Sequence, residues 1–161
     1  MLEILIGAAF GLFLGTAVAG IARVKLSIQE TARDHAEKFF QEANEIADWK
    51  DLSVERLDRL ALMSASLKSR RMQLIVIKAL KEVAAEKKIT SAKYPDNLSA
   101  KEHLLWNRMF FNWLVAVSCQ GTFVAIYAMY QLIRCFDPER TTERAESAIY
   151  RHELSRFANA H

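Results

Sequence analysis

Apolar residues concentrate in two long runs of the chain, and the segment between them alternates apolar and polar positions. The first run covers residues 4–22 and the second covers 104–133. Within 28–47, apolar residues recur every three or four positions, which is the period of an amphipathic helix. With only five glycines and two prolines, the chain has few obligatory breaks. This pattern predicts an all-helical integral membrane protein with two transmembrane helices joined by a long amphipathic helical hairpin.

The first apolar run is a predicted membrane span. It holds 19 residues without a charge, which is about 28 Å of helix, close to the roughly 30 Å of a hydrocarbon core. The alternative is a cleaved signal peptide, for which residues 17–19 would offer a small-residue cleavage site. The acidic Glu3 ahead of the run and the length of the run favour a span.

Small residues form a stripe along this predicted span. Gly7, Gly11 and Gly15 recur every four residues, and Ala19 continues the series. Positions four apart lie on one slowly drifting face, where missing side chains let another helix backbone approach closely. Glycine is also common in membrane helices in general. We expect a helix-packing face whose partner is another copy, the second span or a different subunit.

The middle of the chain predicts two packed helices and then a loop. Leu60, Leu67 and Leu74 recur at seven residues, which predicts one helix from about 54 to 87 packed antiparallel against the helix before it. A capping box, Ser99-x-x-Glu102, starts the next helix. The chain thus divides into a first transmembrane helix, an extramembrane helical hairpin with its loop, a second transmembrane helix and a short amphipathic tail: 1–23, 24–98, 99–136 and 137–161.

The second apolar run carries polar residues on one side of the predicted helix. Gln120, Tyr127 and Gln131 share that side. An amide near the bilayer centre must face protein or water, so this intramembrane polar face predicts an interhelical hydrogen bond or the lining of a pore. Aromatic side chains are typical of membrane interfaces, and three are expected to anchor this span there: Trp106, Trp113 and Tyr130.

Charge bears on the expected partners and location. A net charge of +3, with no run of more than two basic residues, argues against nucleic acid. Basic residues at both ends of the segment between the apolar runs predict that this segment faces the cytoplasm or the equivalent compartment. The expected location is a bacterial inner membrane or an organellar inner membrane. The expected partners are membrane lipid and either other membrane subunits or further copies of the chain.

No motif predicts catalysis, a cofactor or a metal. Cys119 and Cys135 lie sixteen residues apart in one predicted helix, about 24 Å, which is too far for a disulfide between them. His35 and Glu37 are two residues apart, on different helix faces, and so are poorly placed to share a metal. We therefore predict no catalytic, cofactor-binding or metal-ligating residues.

Two functions are compatible with these features. The first is a non-catalytic accessory or assembly subunit of a larger membrane protein complex, acting through helix packing. The alternative is a self-assembling membrane effector or channel, a homo-oligomeric ring with the glycine stripe between copies and Gln120 lining the pore.

Overall fold

The chain is all-helical in a computed structural model, with no strand among the residues that it describes. Among the residues whose backbone is described, the side chains of 2–11 and of 123 are not. Five helices are α1 (Leu2–Ala47), α2 (Val54–Ser66), α3 (Arg70–Ala85), α4 (Ala100–Ser118) and α5 (Phe123–Arg134), and a further helical segment, α6, covers 144–150. The described residues are 2–49, 52–85, 98–121, 123–134, 144–150 and 152. The predicted all-helical class is confirmed.

Helix α1 is one uninterrupted rod of 46 residues, about 69 Å long. Every side chain from 12 to 27 is exposed, whereas Phe39 and Ile46 further along are fully buried. Within the described part of the chain, one helix is long and apolar enough to cross a membrane, and it is α1, over Leu12–Ala47. No described residue therefore covers α1 from 12 to 27, while its second half belongs to a packed core.

Helix α4 is the centre of that core. Trp106, Phe110 and Leu114 on α4 are almost completely buried, and α1 packs along much of its length. The indole of Trp113 donates a hydrogen bond to the carbonyl oxygen of Met63 at 2.9 Å, which joins α4 to α2. The core therefore forms around the second half of α4, residues 109–118, which is buried on nearly every side.

Two turns meet at one end of the bundle and are joined by side-chain amides. The Gln73 amide donates to the carbonyl oxygens of Ser118, at 3.0 Å, and of Gln120. The Gln120 amide in turn donates to the carbonyl oxygen of Leu67. These bonds satisfy carbonyl groups that the helix ends leave without helical partners, and they hold the α2–α3 turn against the α4–α5 turn.

This end of the bundle is the one nearest the exposed half of α1. A groove there is lined by Gln29 and Ala32 of α1 together with residues of both turns. We call the two turns, 67–69 and 119–121, the proximal end of the bundle.

A second membrane span is not confirmed. Helix α4 ends at Ser118 and α5 begins at Phe123, so the continuous helix predicted over 99–136 is not found. Helix α5 has 12 residues, about 18 Å, which is shorter than a hydrocarbon core of about 30 Å. Within the run 104–133, most of α4 lies inside the bundle, whereas α5 exposes several large apolar side chains: Val124, Ile126, Tyr127, Tyr130 and Ile133. A helix that is apolar all round suits a protein core as well as a membrane.

The helical hairpin also differs from its prediction. The single helix expected from 54 to 87 is divided at 67–69 into α2 and α3. Leu60 is buried but Leu74 is 63% exposed, so leucines seven residues apart do not form a continuous packing seam. Helix α1 packs chiefly against α4 instead of α2.

The described part of the predicted tail belongs to the same core. Ala145, Ala148 and Ile149 of α6 are buried among residues of the other helices. The loop expected around Tyr94 lies outside the described residues, as does Cys135. Because α4 ends before Cys119, the single helix that was predicted to hold both cysteines is not found.

Two helix starts carry side-chain caps, and the second of them confirms the predicted capping box. The Ser53 hydroxyl accepts from the Arg56 amide at 3.4 Å at the start of α2. Ser99 and Glu102 form the reciprocal capping box at the start of α4, with bonds of 3.3 Å and 2.7 Å. Caps of this kind contribute about 1 kcal/mol each.

The turn that separates α4 from α5 depends on Gly121, whose φ of +75° lies in the left-handed region. A Cβ added there would meet nothing within 4 Å, so the cost of Gly121→Ala is conformational and not steric. We expect Gly121→Ala to lower the free energy of unfolding by about 1–2 kcal/mol. Gly121→Asn should lower it less, because asparagine tolerates this region better. Urea unfolding in detergent, followed by circular dichroism, measures both, and equal stability of all three proteins would contradict the prediction.

Candidate membrane anchor and its junction with the bundle

The first half of α1 exposes an apolar surface that no other described part of the chain covers. Leu12, Phe13 and Val18 are 72%, 71% and 62% exposed. Contact of this surface with water costs on the order of 10 kcal/mol when summed over its large side chains. Large exposed apolar surfaces are typical of membrane-binding and protein-binding sites, so this one is a candidate for either. We call it the anchor surface; its large apolar members are Leu12, Phe13, Leu14, Val18, Ile21, Val24 and Leu26.

The glycine stripe lies on this half of α1. A Cβ at Gly15 would meet nothing within 4 Å, and Ala19 is exposed. Gly7 and Gly11 have helical backbone, but their surroundings lie outside the described side chains. No described residue of the predicted second span contacts Gly15. The packing face stays a prediction, open to another copy or another subunit.

A buried polar junction joins α1 to α4. The two carboxylate oxygens of Glu42 accept from Arg108 Nε and from Asn112 Nδ2, the second at 2.7 Å. Because the Asn112 amide nitrogen faces Glu42, its oxygen faces His35 Nδ1 at 2.8 Å, and His35 is then the donor. Glu42 and Asn112 are both buried.

This junction fixes the direction and register of α1 on α4. Residues later on α1 meet residues earlier on α4, so the two helices run antiparallel. The Arg108 side chain is 62% exposed, so solvent screens its charge and the buried Asn112 is the more important donor. A buried carboxylate oxygen that loses such a donor costs about 1–3 kcal/mol, so sliding or rotating α1 by one residue is disfavoured.

The sequence prediction missed this junction. It compared His35 with Glu37, on a different face, and not with Glu42, which lies two turns away on the same side of α1. The available signal was Asn112, an amide within an apolar run. An amide there needs a polar partner whether the run lies in a membrane or in a core.

A second buried ionic contact joins α6 to α2 and α4. Glu146 accepts from Arg59 at 2.9 Å and from the indole of Trp106 at 3.3 Å. The Arg56 guanidinium lies 4.5 Å from the centre of the Trp106 ring. Burial raises the pKa of the Glu146 carboxyl, and the charge of Arg59 and the two hydrogen bonds oppose this without reversing it.

The groove at the proximal end has a volume of about 790 Å³ and is lined mainly by small and apolar residues of α1, α2 and the α4–α5 turn. Burial raises the pKa of the Cys119 thiol in its wall to about 11, so the thiol stays protonated and is a weak nucleophile. Among the described residues, no three histidine, cysteine or acidic side chains lie together as a metal site would need.

The residues predicted to form an intramembrane polar face do not share a helix. Gln120 lies in the α4–α5 turn, Gln131 is buried on α5, and Tyr127 is exposed with the Lys81 ammonium 5.2 Å from its ring centre. The break at 119–121 therefore separates Gln120 from the other two.

The three aromatic residues predicted as interface anchors fall in two environments. Trp106 and Trp113 are buried inside the bundle, where their indole nitrogens donate to Glu146 and to the Met63 carbonyl. Tyr130 is exposed on α5, with the Arg134 guanidinium 5.8 Å from its ring centre. Buried indoles need such acceptors in a core as well as at a membrane surface.

Comparison of the chain with protein-family models, with curated proteins and with solved structures found no match.

Glu146→Gln tests the buried ionic contact through pH. Because the folded state raises the pKa of Glu146, the stability that its protonation contributes is present below the ordinary value of 4.5 and is lost as pH rises through the raised pKa. From pH 4.5 to neutral, the free energy of unfolding of the wild type should therefore fall relative to that of Glu146→Gln. Chemical unfolding across this range measures the difference.

The control for this prediction is Glu45→Gln, which removes an exposed carboxyl from α1. Its difference from the wild type should not follow the same trend. A difference between wild type and Glu146→Gln that is constant, or that runs in the opposite direction, would contradict the assigned shift.

Proposed function

We propose that the chain is a membrane-anchored accessory or assembly subunit of a larger membrane complex and acts through helix packing, without catalysis. The first half of α1 is the anchor, and the second half is the first helix of a bundle outside the membrane. One observation supports this most directly. Within a single unbroken helix, the side chains from Leu12 to Leu26 are exposed and mostly apolar, and from Phe39 onward one face of the helix is buried in a bundle.

The proposal gives the anchor and the bundle separate roles. The bundle buries its own core, so it does not need a partner to fold. The anchor surface, with Gly15 and Ala19 uncovered, is suited to close contact with a helix of another subunit in lipid, where small residues allow backbones to approach. Because α1 has no break and is held by the polar junction, the position of the anchor determines the position of the bundle.

The alternative of a homo-oligomeric pore receives no support from the contacts of Gln120. That side chain lies in the α4–α5 turn and donates to the Leu67 carbonyl within the same chain. Water in a pore would have to compete with this bond.

The anchor is tested by placing charge within it. Leu14→Arg combined with Val18→Arg should prevent stable insertion, because arginine near a bilayer centre costs about 2.5–3.5 kcal/mol. We expect wild type to stay with membranes through an alkaline carbonate wash and the double variant to be released. The matched control is Val54→Arg with Leu104→Arg, two exposed apolar positions of the bundle, which should stay with the membrane. Release of the wild type itself would overturn the proposal.

The packing face is tested by Gly15→Leu. The added side chain would hold a partner backbone away, while leucine favours the helix itself. We expect the variant to remain membrane-inserted but to lose its co-purifying subunits after mild detergent extraction, as measured by native mass. Phe13→Leu keeps an exposed apolar side chain and should retain them. If both variants keep the wild-type mass, the packing face is wrong, and a wild-type ring of identical copies with ion flux would favour the pore.

A further inference from the structure

Positive charge in this chain is concentrated in two stretches without acidic residues. Between Asp58 and Glu82 there are six basic residues and no acidic one. Between Glu3 and Glu30 there are again no acidic residues, and the basic ones lie at the end of the anchor, at Arg23 and Lys25. Segregation of this kind gives a local positive potential even though the net charge of the whole chain is only +3.

The fold places the α2–α3 turn beside the end of the first stretch, at Gln29, in a groove that Glu37 of α1 also lines. Leu67 and Lys68 of the α2–α3 turn line the same groove as Gln29 and Ala32 of α1. Gln29 is three residues beyond Leu26, the last large exposed apolar residue of the anchor. The turn therefore lies about 5–10 Å beyond the anchor along the axis of α1.

The basic side chains of the turn and of the first residues of α3 are exposed to solvent. Lys68, Arg70 and Arg71 are exposed, as are Arg23 and Lys25. Within the part of the chain that the structure describes, none of these five has a carboxylate partner, in contrast to Arg33, Arg59 and Arg108. The hydrogen bonds of Gln73 and Gln120 hold the turn against the α4–α5 turn, so its charges keep a defined place relative to α1.

We propose that Arg23, Lys25, Lys68, Arg70 and Arg71 form a binding surface for anionic phospholipid headgroups, which we call the basic surface. This inference rests on the proposed function, because it requires the anchor to lie in a membrane. The headgroup layer is about 5–7 Å thick on each side of the hydrocarbon core. Charges about 5–10 Å beyond the anchor then lie within the screening length of roughly 8–10 Å in physiological salt.

The basic surface gives the bundle a preferred position on the membrane. Each basic side chain near an anionic surface favours binding about five-fold at moderate salt. Several acting together would hold the proximal end on the headgroups, whereas a neutral membrane would leave the bundle linked through α1 alone. The predicted cytoplasmic position of this segment agrees with the leaflet that carries most anionic lipid.

The test uses the full chain in nanodiscs of phosphatidylcholine alone or with a minor fraction of phosphatidylglycerol. Hydrogen–deuterium exchange is measured for the backbone amides of residues 67–71. We expect exchange to slow several-fold when phosphatidylglycerol is present, and the effect to disappear in high salt. Lys68→Gln with Arg71→Gln should show the same exchange in both kinds of disc. We expect this variant to fold, because a positive charge in the first turn of α3 is unfavourable to the helix dipole and its removal costs no helix stability.

The matched control is Lys38→Gln with Lys101→Gln, two exposed lysines elsewhere in the bundle, which should respond to phosphatidylglycerol as the wild type does. Equal wild-type exchange in both kinds of disc, with the chain resistant to alkaline extraction, would overturn this inference and leave the proposed function standing. The inference would also be overturned if the slower exchange persisted in high salt, or if the control variant showed no slowing in phosphatidylglycerol discs. Release of the wild-type chain by alkaline extraction would overturn both this inference and the proposed function.

Discussion

An α-helix changes direction only where its hydrogen-bond ladder is interrupted, and α1 has no interruption from Leu2 to Ala47. One rigid helix therefore carries two different surfaces, one that the chain leaves exposed and one that it buries. The first half exposes large apolar side chains, and the second half buries Phe39, Ala43 and Ile46 against α4. Whatever covers the anchor surface thereby sets the position of the whole bundle, because the two halves cannot rotate independently.

The polar junction makes this coupling specific. Apolar contacts between α1 and α4 would tolerate small shifts in register, since one aliphatic contact replaces another at little cost. Glu42 tolerates no such shift, because both of its oxygens need the donors of Arg108 and Asn112. The amides of Gln73 and Gln120 have the same role at the proximal end, where they join two turns instead of two helices. The core supplies stability, and these few buried polar groups select one arrangement of it.

The sequence predicted well what depends on local rules. The all-helical class and the capping box at Ser99 follow from period and capping chemistry, which neighbouring residues determine. The predicted second span is not confirmed, and the sequence could not decide it, because an apolar run looks the same in a bilayer and inside a bundle. Only burial of α4 and the left-handed Gly121 separate the two cases. The junction at Glu42 was missed because its members come from distant parts of the chain, and spacing along the sequence does not show that α1 meets α4.

The same distinction separates folding from function in this chain. A helix whose apolar face is covered by its own chain contributes to stability, and α4 is such a helix. A helix whose apolar face is left uncovered contributes nothing to stability in water until something else covers it, and the first half of α1 is such a helix. Gly15 lies on that half, next to open space, so the stability of the bundle does not explain it. The proposed contact of the anchor with lipid or with another helix would explain it, and the proposed headgroup contact would likewise explain the exposed Lys68, Arg70 and Arg71.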